Sequence, residues 1–139
     1  MTSELLSIKV LSPTRPILEV SARSVILPAK DGYVQILPNH ASYITEMQVG
    51  DIVIDTGKTE DFSRYFVCGG YAHIENNSVH ILADVVEKAS EIDKSRAEAS
   101  KKRAQERLSS SDPSIDMDRA LSSLKRAEIR LLTIKSSKT

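Results

Sequence analysis

Residues 71–87, Tyr-Ala-His-Ile-Glu-Asn-Asn-Ser-Val-His-Ile-Leu-Ala-Asp-Val-Val-Glu, contain the change of pattern that decides the fold. Tyr71–Glu75 and Val79–Leu82 are strand candidates, because apolar and polar side chains alternate along them. Asn76-Asn77 between them suits a tight hairpin turn, since asparagine tolerates positive φ. Asp84-Val-Val-Glu87 then resembles a helix capping box. The stretch therefore predicts a change from strand to helix near Asp84.

The chain before Asp84 is divided into short apolar runs by turn-forming residues. Its five glycines and six aromatic residues all lie at or before position 71. Many short strands at this spacing indicate an antiparallel sandwich or barrel. The further strand candidates are Leu5–Leu11, residues 20–27, Tyr33–Leu37, Ile52–Asp55 and Phe62–Cys68.

The chain after Asp84 has the pattern of two helices. Glycine and proline are absent from position 84 to Leu108, and Ser109–Pro113 then interrupts the pattern. A second helix is expected from Ser114 or Asp116 to about Lys135. Its apolar residues recur at alternating intervals of three and four, which is a coiled-coil seam. The short loop between two helices of similar length predicts an antiparallel hairpin. The seam consists of Met117, Ala120, Leu124, Ala127, Leu131 and Ile134.

The first helix has few apolar side chains, and they are small. Contacts between alanines bury little apolar area, so they stabilise a hairpin only slightly against chain entropy. We therefore expect the hairpin to be stable only when it packs on the sandwich or on a partner, and to be able to switch between them. Residues 1–86 carry a net charge of −4 and residues 87–139 a net charge of +4, which suits such docking.

Composition excludes several classes of protein. The 19 basic and 19 acidic side chains balance, which argues against a general nucleic-acid binder. Cys68 is the only cysteine, so an internal disulfide and a cysteine-based zinc site are excluded. No apolar run is long enough to span a membrane, and the first residues do not resemble a secretory signal. An intracellular protein is expected, with a mature organelle protein as the alternative.

No catalytic arrangement of residues is recognisable. His40, His73 and His80 have no helical metal-binding spacing, and no paired carboxylates or Ser/His/Asp pattern is present. We therefore predict neither an enzyme nor a metal site. Leu37-Pro38-Asn39-His40-Ala41 and Asp31-Gly32-Tyr33 are predicted to form one loop surface at one end of the sandwich, although an ordinary connection is the alternative.

Four helical arginines could meet if the hairpin closes on itself. Arg96 and Arg103 are seven residues apart, and Arg126 and Arg130 are four apart. With Asp93, their guanidinium groups would suit a nucleoside triphosphate, because guanidinium forks bind phosphate and a carboxylate binds a base or ribose. A solvated basic face is the alternative.

The chain resembles the epsilon-subunit family of F-type rotary ATP synthases over essentially its whole length. The most specific stretches are residues 36–41 (Ile-Leu-Pro-Asn-His-Ala), Gly69-Gly70 before a strand, and residues 81–84 (Ile-Leu-Ala-Asp) followed by residues 92–97 (Ile-Asp-Lys-Ser-Arg-Ala). The resemblance implies an α+β fold, with an antiparallel β-sandwich of about ten strands in residues 1–84 and an antiparallel two-helix hairpin in residues 85–139.

The resemblance also implies a role and partners. The chain would be a noncatalytic subunit of the central rotor stalk that couples the gamma subunit to the ring of c subunits during proton-driven ATP synthesis. Its hairpin would extend to the catalytic alpha and beta subunits and inhibit ATP hydrolysis. The expected location is the cytoplasmic face of the bacterial inner membrane, with the chloroplast thylakoid as an alternative. A free-standing ATP-responsive binding module is the alternative function.

Three sets of site residues follow from the resemblance. The set that faces the c ring is Asp31, Tyr33, Asn39 and His40. No cofactor is required, but regulatory ATP would bind at the family motif and the later arginines, namely Ile92, Asp93, Arg96, Ala97, Arg103, Arg126 and Arg130. The inhibitory contacts with acidic surfaces of the catalytic head would come from Arg103, Arg107, Arg119, Lys125 and Arg126.

Overall fold

A computed structural model describes residues 4–58 and 62–137 of the chain. Within these ranges ten strands precede a short 3₁₀ turn at Ala89–Glu91 and two helices, α1 (Lys94–Leu108) and α2 (Met117–Ser137). The strands are β1 (Leu6–Ser12), β2 (Arg15–Ala22), β3 (Ser24–Ala29), β4 (Gly32–Ile36), β5 (Tyr43–Glu46), β6 (Gly50–Asp55), β7 (Phe62–Cys68), β8 (Tyr71–Glu75), β9 (Ser78–Leu82) and β10 (Val85–Lys88).

The strands form two five-stranded sheets that face each other. The first sheet has the order β2-β1-β9-β8-β5, and the second has the order β10-β7-β6-β3-β4. The described pairings are antiparallel except that of β1 with β9. Buried side chains from both sheets, such as Ile8, Leu27, Ile54 and Ile81, form one core between them. The predicted α+β fold with an antiparallel sandwich and a helical hairpin is confirmed.

The sandwich has two ends, which we name by their turns. The Asn77 end contains the β8–β9 turn, where Asn76 and Asn77 have φ of 50° and 63°, as the hairpin prediction requires. The Gly70 end contains the β7–β8 turn, whose Gly70 carbonyl accepts a hydrogen bond from the amide of Met47 at 2.8 Å. The β3–β4 turn lies at the Gly70 end, since the amide of Lys30 donates to the carbonyl of Glu46 at 2.9 Å.

The strand prediction for residues 20–27 is wrong, because this stretch contains the end of β2 and most of β3. The chain passes from the first sheet to the second at Arg23, whose amide donates to the carbonyl of Asp55 at 2.7 Å. β2 is an edge strand with a polar, exposed pattern and contains Pro16, so its sequence carries a weak strand signal.

The capping box predicted at Asp84–Glu87 is also wrong. Val85–Lys88 is β10, which pairs with β7 and buries Val86 in the core. The cap of α1 is Asp93, whose carboxylate accepts a hydrogen bond from the amide of Arg96 at 3.1 Å. The predicted boundary at Asp84 therefore falls one strand short of the end of the sandwich. The outermost residues of the predicted domains, 1–3 and 138–139, lie outside the described residues.

The helical hairpin has the thin interface that the sequence predicts. α1 buries only Ala97 and Ala104, and α2 buries Ala120 and Ala127. The predicted seam of α2 is buried or half-buried except at its first member, Met117, which is 40% exposed. α2 lies against α1 on one side and against β7 and β6 of the second sheet on the other.

Candidate functional site

A cleft opens where the chain passes from the sandwich into α1. Its volume is about 270 Å³, and it lies among β10, the 3₁₀ turn, the start of α1 and the C-terminal half of α2. The residues that line it are Glu87, Glu91, Ile92, Asp93, Arg96, Ala97, Ser100 and Arg130. One continuous stretch of the chain, residues 87–100, and the distant Arg130 of α2 therefore contribute to one site.

Arg130 joins α2 to the sandwich on one wall of this cleft. Its Nε donates to Oε2 of Glu87 at 2.9 Å and its terminal nitrogen donates to Oε1 at 3.0 Å. The guanidinium group also lies over the ring of Phe66, 4.4 Å from the ring centre. A bidentate, partly buried pair over an aromatic face is among the stronger contacts of this type. We name this set of contacts, between Arg130, Glu87 and Phe66, the clasp.

A second arginine fixes the 3₁₀ turn that leads into the hairpin. Arg15 of β2 donates from its two terminal nitrogens to the two carboxylate oxygens of Glu91, each at 3.3 Å. The same guanidinium lies 5.9 Å from the ring centre of Tyr65. Burial raises the pKa of Tyr65, while the nearby positive charge of Arg15 acts in the opposite direction. This ion pair holds the turn against the sandwich. Ile92 and Asp93 are the residues that follow the turn.

The charges that line the cleft decide what it can bind. Three carboxylates, those of Glu87, Glu91 and Asp93, stand against the two guanidinium groups of Arg96 and Arg130. Among the described residues Arg96 has no ion-pair partner, whereas Arg130 uses its Nε and one terminal nitrogen for Glu87. A phosphate group could therefore bind Arg96 with its whole guanidinium group, but could bind Arg130 only through the edge that Glu87 leaves open.

The cleft brings together most of the predicted nucleotide residues. Ile92, Asp93, Arg96 and Ala97 line it together with Arg130. The other two, Arg103 and Arg126, do not. Each of them donates to a serine one turn earlier on its own helix, Arg103 to Ser100 at 3.1 Å and Arg126 to Ser123 at 3.2 Å.

Sequence reasoning missed three lining residues, Glu87, Glu91 and Ser100. Glu87 was assigned to a helix cap, so its position on a strand opposite α2 could not be foreseen. The available signal was the pair of β-branched valines before it, which favours a strand. Nothing in the sequence pairs Glu87 with Arg130, because 43 residues separate them.

The structure divides the four residues predicted to face the c ring. Asp31 and Tyr33 lie at the Gly70 end, where β3 turns into β4. Asn39 and His40 follow the other end of β4 and lie at the Asn77 end, where the amide of Asn39 donates to the side-chain oxygen of Asn77 at 2.6 Å. A five-residue strand separates the pairs by roughly 15 Å. The prediction of a single loop surface is therefore wrong, because β4 runs the length of the sandwich.

Tyr33 is part of a polar cluster on the outside of the second sheet. Its hydroxyl donates to the carboxylate of Asp51 at 2.9 Å and accepts from the amide of Asp51 at 3.2 Å. Arg64 donates to the other oxygen of Asp51 at 3.2 Å. Burial is the main cause that raises the pKa of Tyr33. Asp51, although 7% exposed, thus has partners for both carboxylate oxygens.

The predicted inhibitory residues lie on the outside of the hairpin. Arg103, Arg107, Arg119 and Lys125 are exposed, and Arg126 is half-buried. Arg107 and Arg119 line a cavity of about 340 Å³ at the bend between α1 and α2. The exposed basic groups are therefore available to another surface, and Arg107 and Arg119 lie at the tip of the hairpin.

The described part of the chain contains no group of three or more histidine, cysteine or acidic side chains arranged to hold a metal ion. Neither described helix is both long enough and apolar enough to cross a membrane.

The chain is similar to several curated proteins over most of its length. It is 37% identical over 126 residues to the ATP synthase epsilon chain of Moorella thermoacetica, covering 91% of this chain and 93% of that protein. The ATP synthase epsilon chain of Cyanothece sp. is 34% identical over 129 residues, with 91% and 92% covered.

Solved structures and family comparisons agree with this likeness. The fold is similar to a chain in the Euglena gracilis mitochondrial ATP synthase structure, OSCP/F1/c-ring, with a TM-score of 0.70, 15% identity and coverage of 96% of this chain and 79% of that one. Residues 5–89 match the family described as ATP synthase, Delta/Epsilon chain, beta-sandwich domain, and residues 90–135 match the corresponding long alpha-helix domain. The chain therefore belongs to the delta/epsilon chain family of ATP synthase.

Proposed function

We propose that the chain is the noncatalytic epsilon subunit of an ATP synthase, coupling the gamma subunit to the c ring in the central stalk during proton-driven ATP synthesis. The curated relatives bear the name epsilon chain and come from bacteria, which supports a peripheral place at the cytoplasmic face of a bacterial membrane. The sandwich is the part that binds gamma and the ring. The hairpin is the regulatory part.

The observation that carries this proposal is the way the hairpin is held. Its contact with the sandwich rests on one face of α2 and on the clasp, and its internal interface is built from alanines. One helix face and one partly exposed ion pair stabilise the docked state only modestly. The hairpin can therefore leave the sandwich, extend along gamma and place its basic tip against acidic surfaces of the catalytic head, where it inhibits ATP hydrolysis.

The direction of β10 supports an orientation in the stalk. β10 starts at the Gly70 end and runs antiparallel to β7, so the chain enters the hairpin while moving away from that end. A hairpin that extends away from the membrane then requires the Gly70 end to face the c ring. In this orientation Asp31 and Tyr33 face the ring, and Asn39 and His40 lie on the far side.

ATP is proposed as a regulatory ligand of the cleft, not as a required cofactor. A nucleotide bound between α1 and the sandwich would favour the docked hairpin, because undocking would break its contacts. Arg96 and Asp93 are the residues best placed to receive it, and Arg103 and Arg126 would have to turn from their serines to take part.

Reconstitution of an ATP synthase that lacks its own epsilon subunit tests the proposed function. A chain shortened to residues 1–88 retains all ten strands, so we expect it to assemble with gamma and the c ring as the full chain does, with faster ATP hydrolysis. Failure of both chains to assemble would contradict the proposal and favour a free-standing ATP-responsive module. If the full chain assembled and the chain of residues 1–88 did not, the proposal that the sandwich binds gamma and the ring without the hairpin would be contradicted.

A further inference from the structure

Two of the three histidines of the chain lie directly opposite each other on the first sheet. His73 of β8 pairs with His80 of β9 in the antiparallel register, and we name these two residues the histidine pair. Their neighbours along the strands, such as Ile74 and Ile81, are fully buried, so both imidazole rings project from the outer face. Opposite residues of an antiparallel pair have Cβ atoms about 5 Å apart. The two rings can therefore reach one common point above the sheet.

The strands that carry the histidine pair are held on both sides. β9 also pairs with β1, and β8 also pairs with β5, so neither strand is an edge of the sheet. The two-residue turn at Asn76 and Asn77 fixes the register between β8 and β9. A slip by one residue would move the buried side chains to the solvent face. The spacing of the two strands is thus set before any ligand binds, which lowers the entropic cost of binding one.

The charges around the histidine pair suit a cation. The carboxylate of Glu75 lies 3.6 Å from Nε2 of His73, on the same face of β8. Lys9 of β1 lies opposite His80, but its ammonium group pairs with Glu19 at 3.3 Å. The charge of Lys9 is therefore balanced by Glu19, and Glu75 places negative charge beside the rings. A carboxylate next to a ligating histidine increases its affinity for a metal ion.

The composition of the pair determines which cations it can bind. The His73 side chain is 44% exposed and His80 is exposed, so an ion can reach both rings from solvent. No set of three such ligands exists among the described residues, so the chain supplies two nitrogens and water fills the remaining positions. Imidazole suits Zn²⁺, Ni²⁺ and Cu²⁺, whereas Mg²⁺ and Ca²⁺ prefer oxygen ligands. The sequence prediction of no metal site considered helical spacing, whereas this pair arises from strand register.

We propose that the histidine pair binds one divalent ion of the Zn²⁺ or Ni²⁺ type, through one ring nitrogen of His73 and one of His80. The ion bridges β8 and β9. It stabilises the folded sheet, because the unfolded chain does not hold the two rings together. Two protein ligands make this a weaker site than the four-ligand structural zinc sites. The inference does not depend on the proposed function, since the site needs no partner subunit.

Calorimetric titration of the full-length chain, without a polyhistidine tag, with Ni²⁺ tests the site. We expect one Ni²⁺ to bind per chain. The affinity should fall about tenfold or more in His73→Gln and in His80→Gln, because each variant loses the second ligand that is held close to the first. His40→Gln is the matched control, since His40 is the remaining histidine and lies outside the pair, in the loop between β4 and β5. Excess Mg²⁺ should not displace Ni²⁺.

Thermal unfolding tests whether the bound ion bridges the strands. Saturating Ni²⁺ should raise the unfolding midpoint of the wild type and of His40→Gln, but not that of either variant of the pair. The midpoints without metal establish that each variant is folded. Equal Ni²⁺ affinity in the wild type and both variants of the pair would mean adventitious surface binding only and would overturn the proposal. Absence of wild-type binding at micromolar Ni²⁺ concentrations, or an equal loss of affinity in His40→Gln, would overturn it as well.

Discussion

At the scale of single residues, the Tyr33 hydroxyl is the group whose removal is simplest to interpret. Tyr33→Phe removes the partner of one Asp51 oxygen and of the Asp51 amide, and both groups are mostly buried. We expect the free energy of unfolding to fall by about 1–2 kcal/mol at neutral pH, because a hydrogen bond to a charged group and one from an amide are lost at a partly exposed side chain. Urea denaturation measures it, and Tyr71→Phe, on an exposed tyrosine, is the control. No difference between the two variants would contradict the expectation.

The same tyrosine makes the stability depend on pH in a defined direction. The folded chain raises the pKa of Tyr33 and of Tyr65 above the ordinary value of 10.0, mainly through burial. The stability that each contributes is therefore present below about pH 10 and is lost as the pH rises through the folded-state pKa. We expect the stability difference between wild type and Tyr33→Phe to shrink above about pH 10 in urea denaturation. A difference that stays constant or grows there would contradict this assignment.

Arg96 is the residue whose removal tests most directly whether the cleft binds nucleotide. It lines the cleft, is exposed and has no ion-pair partner among the described residues, so Arg96→Ala removes a phosphate ligand without breaking the clasp. We expect ATP binding by the isolated chain, measured by calorimetry, to weaken about tenfold or more in this variant, as for loss of one charge-assisted contact. Arg107→Ala, at the far end of α1, is the control. Equal ATP affinity in wild type and both variants would contradict a site at this cleft.

At the scale of elements, alternation and turn residues were sufficient to predict most of the strands. They failed where local pattern and tertiary context disagree. Val85–Lys88 follows an apparent capping aspartate, yet Val86 is needed in the core and the segment becomes β10. β2 was missed because an edge strand that contains proline has little local signal. Part of the cleft was predictable from the sequence. Motif spacing gives Asp93 and Arg96, but the strand that supplies Glu87 follows only from the pairing of β10 with β7.

The alanine interface of the hairpin gives a prediction for α1 and α2 as a unit. Ala127 lies in the buried seam of α2 and is 1% exposed, so Ala127→Leu overfills its packing and should destabilise the hairpin by about 1–3 kcal/mol. Ala99→Leu, on the exposed face of α1, should change it little. Hydrogen exchange of the α1 and α2 amides measures the effect separately from the sandwich. Equal protection in both variants would contradict a tightly packed alanine seam.

At the scale of the whole molecule, a β-sandwich with one continuous core carries a helical hairpin that meets it through one face of α2. The Arg15–Glu91 pair fixes the chain up to the 3₁₀ turn, and the clasp holds α2. Weakening the clasp by about 1 kcal/mol would raise the undocked fraction roughly fivefold. Since the undocked hairpin is the proposed inhibitor, the clasp should favour hydrolysis in the assembled enzyme.

The most direct test of this claim is the ATP hydrolysis rate of an ATP synthase reconstituted with the Glu87→Gln chain. Loss of the charged partner of Arg130 should release the hairpin more often, so we expect slower hydrolysis than with the wild-type chain. The chain of residues 1–88, which has no hairpin, should give the fastest rate. A Glu87→Gln enzyme that hydrolyses ATP as fast as the wild type or faster, with its hairpin measurably undocked by hydrogen exchange, would contradict the claim that the clasp restrains an inhibitory hairpin.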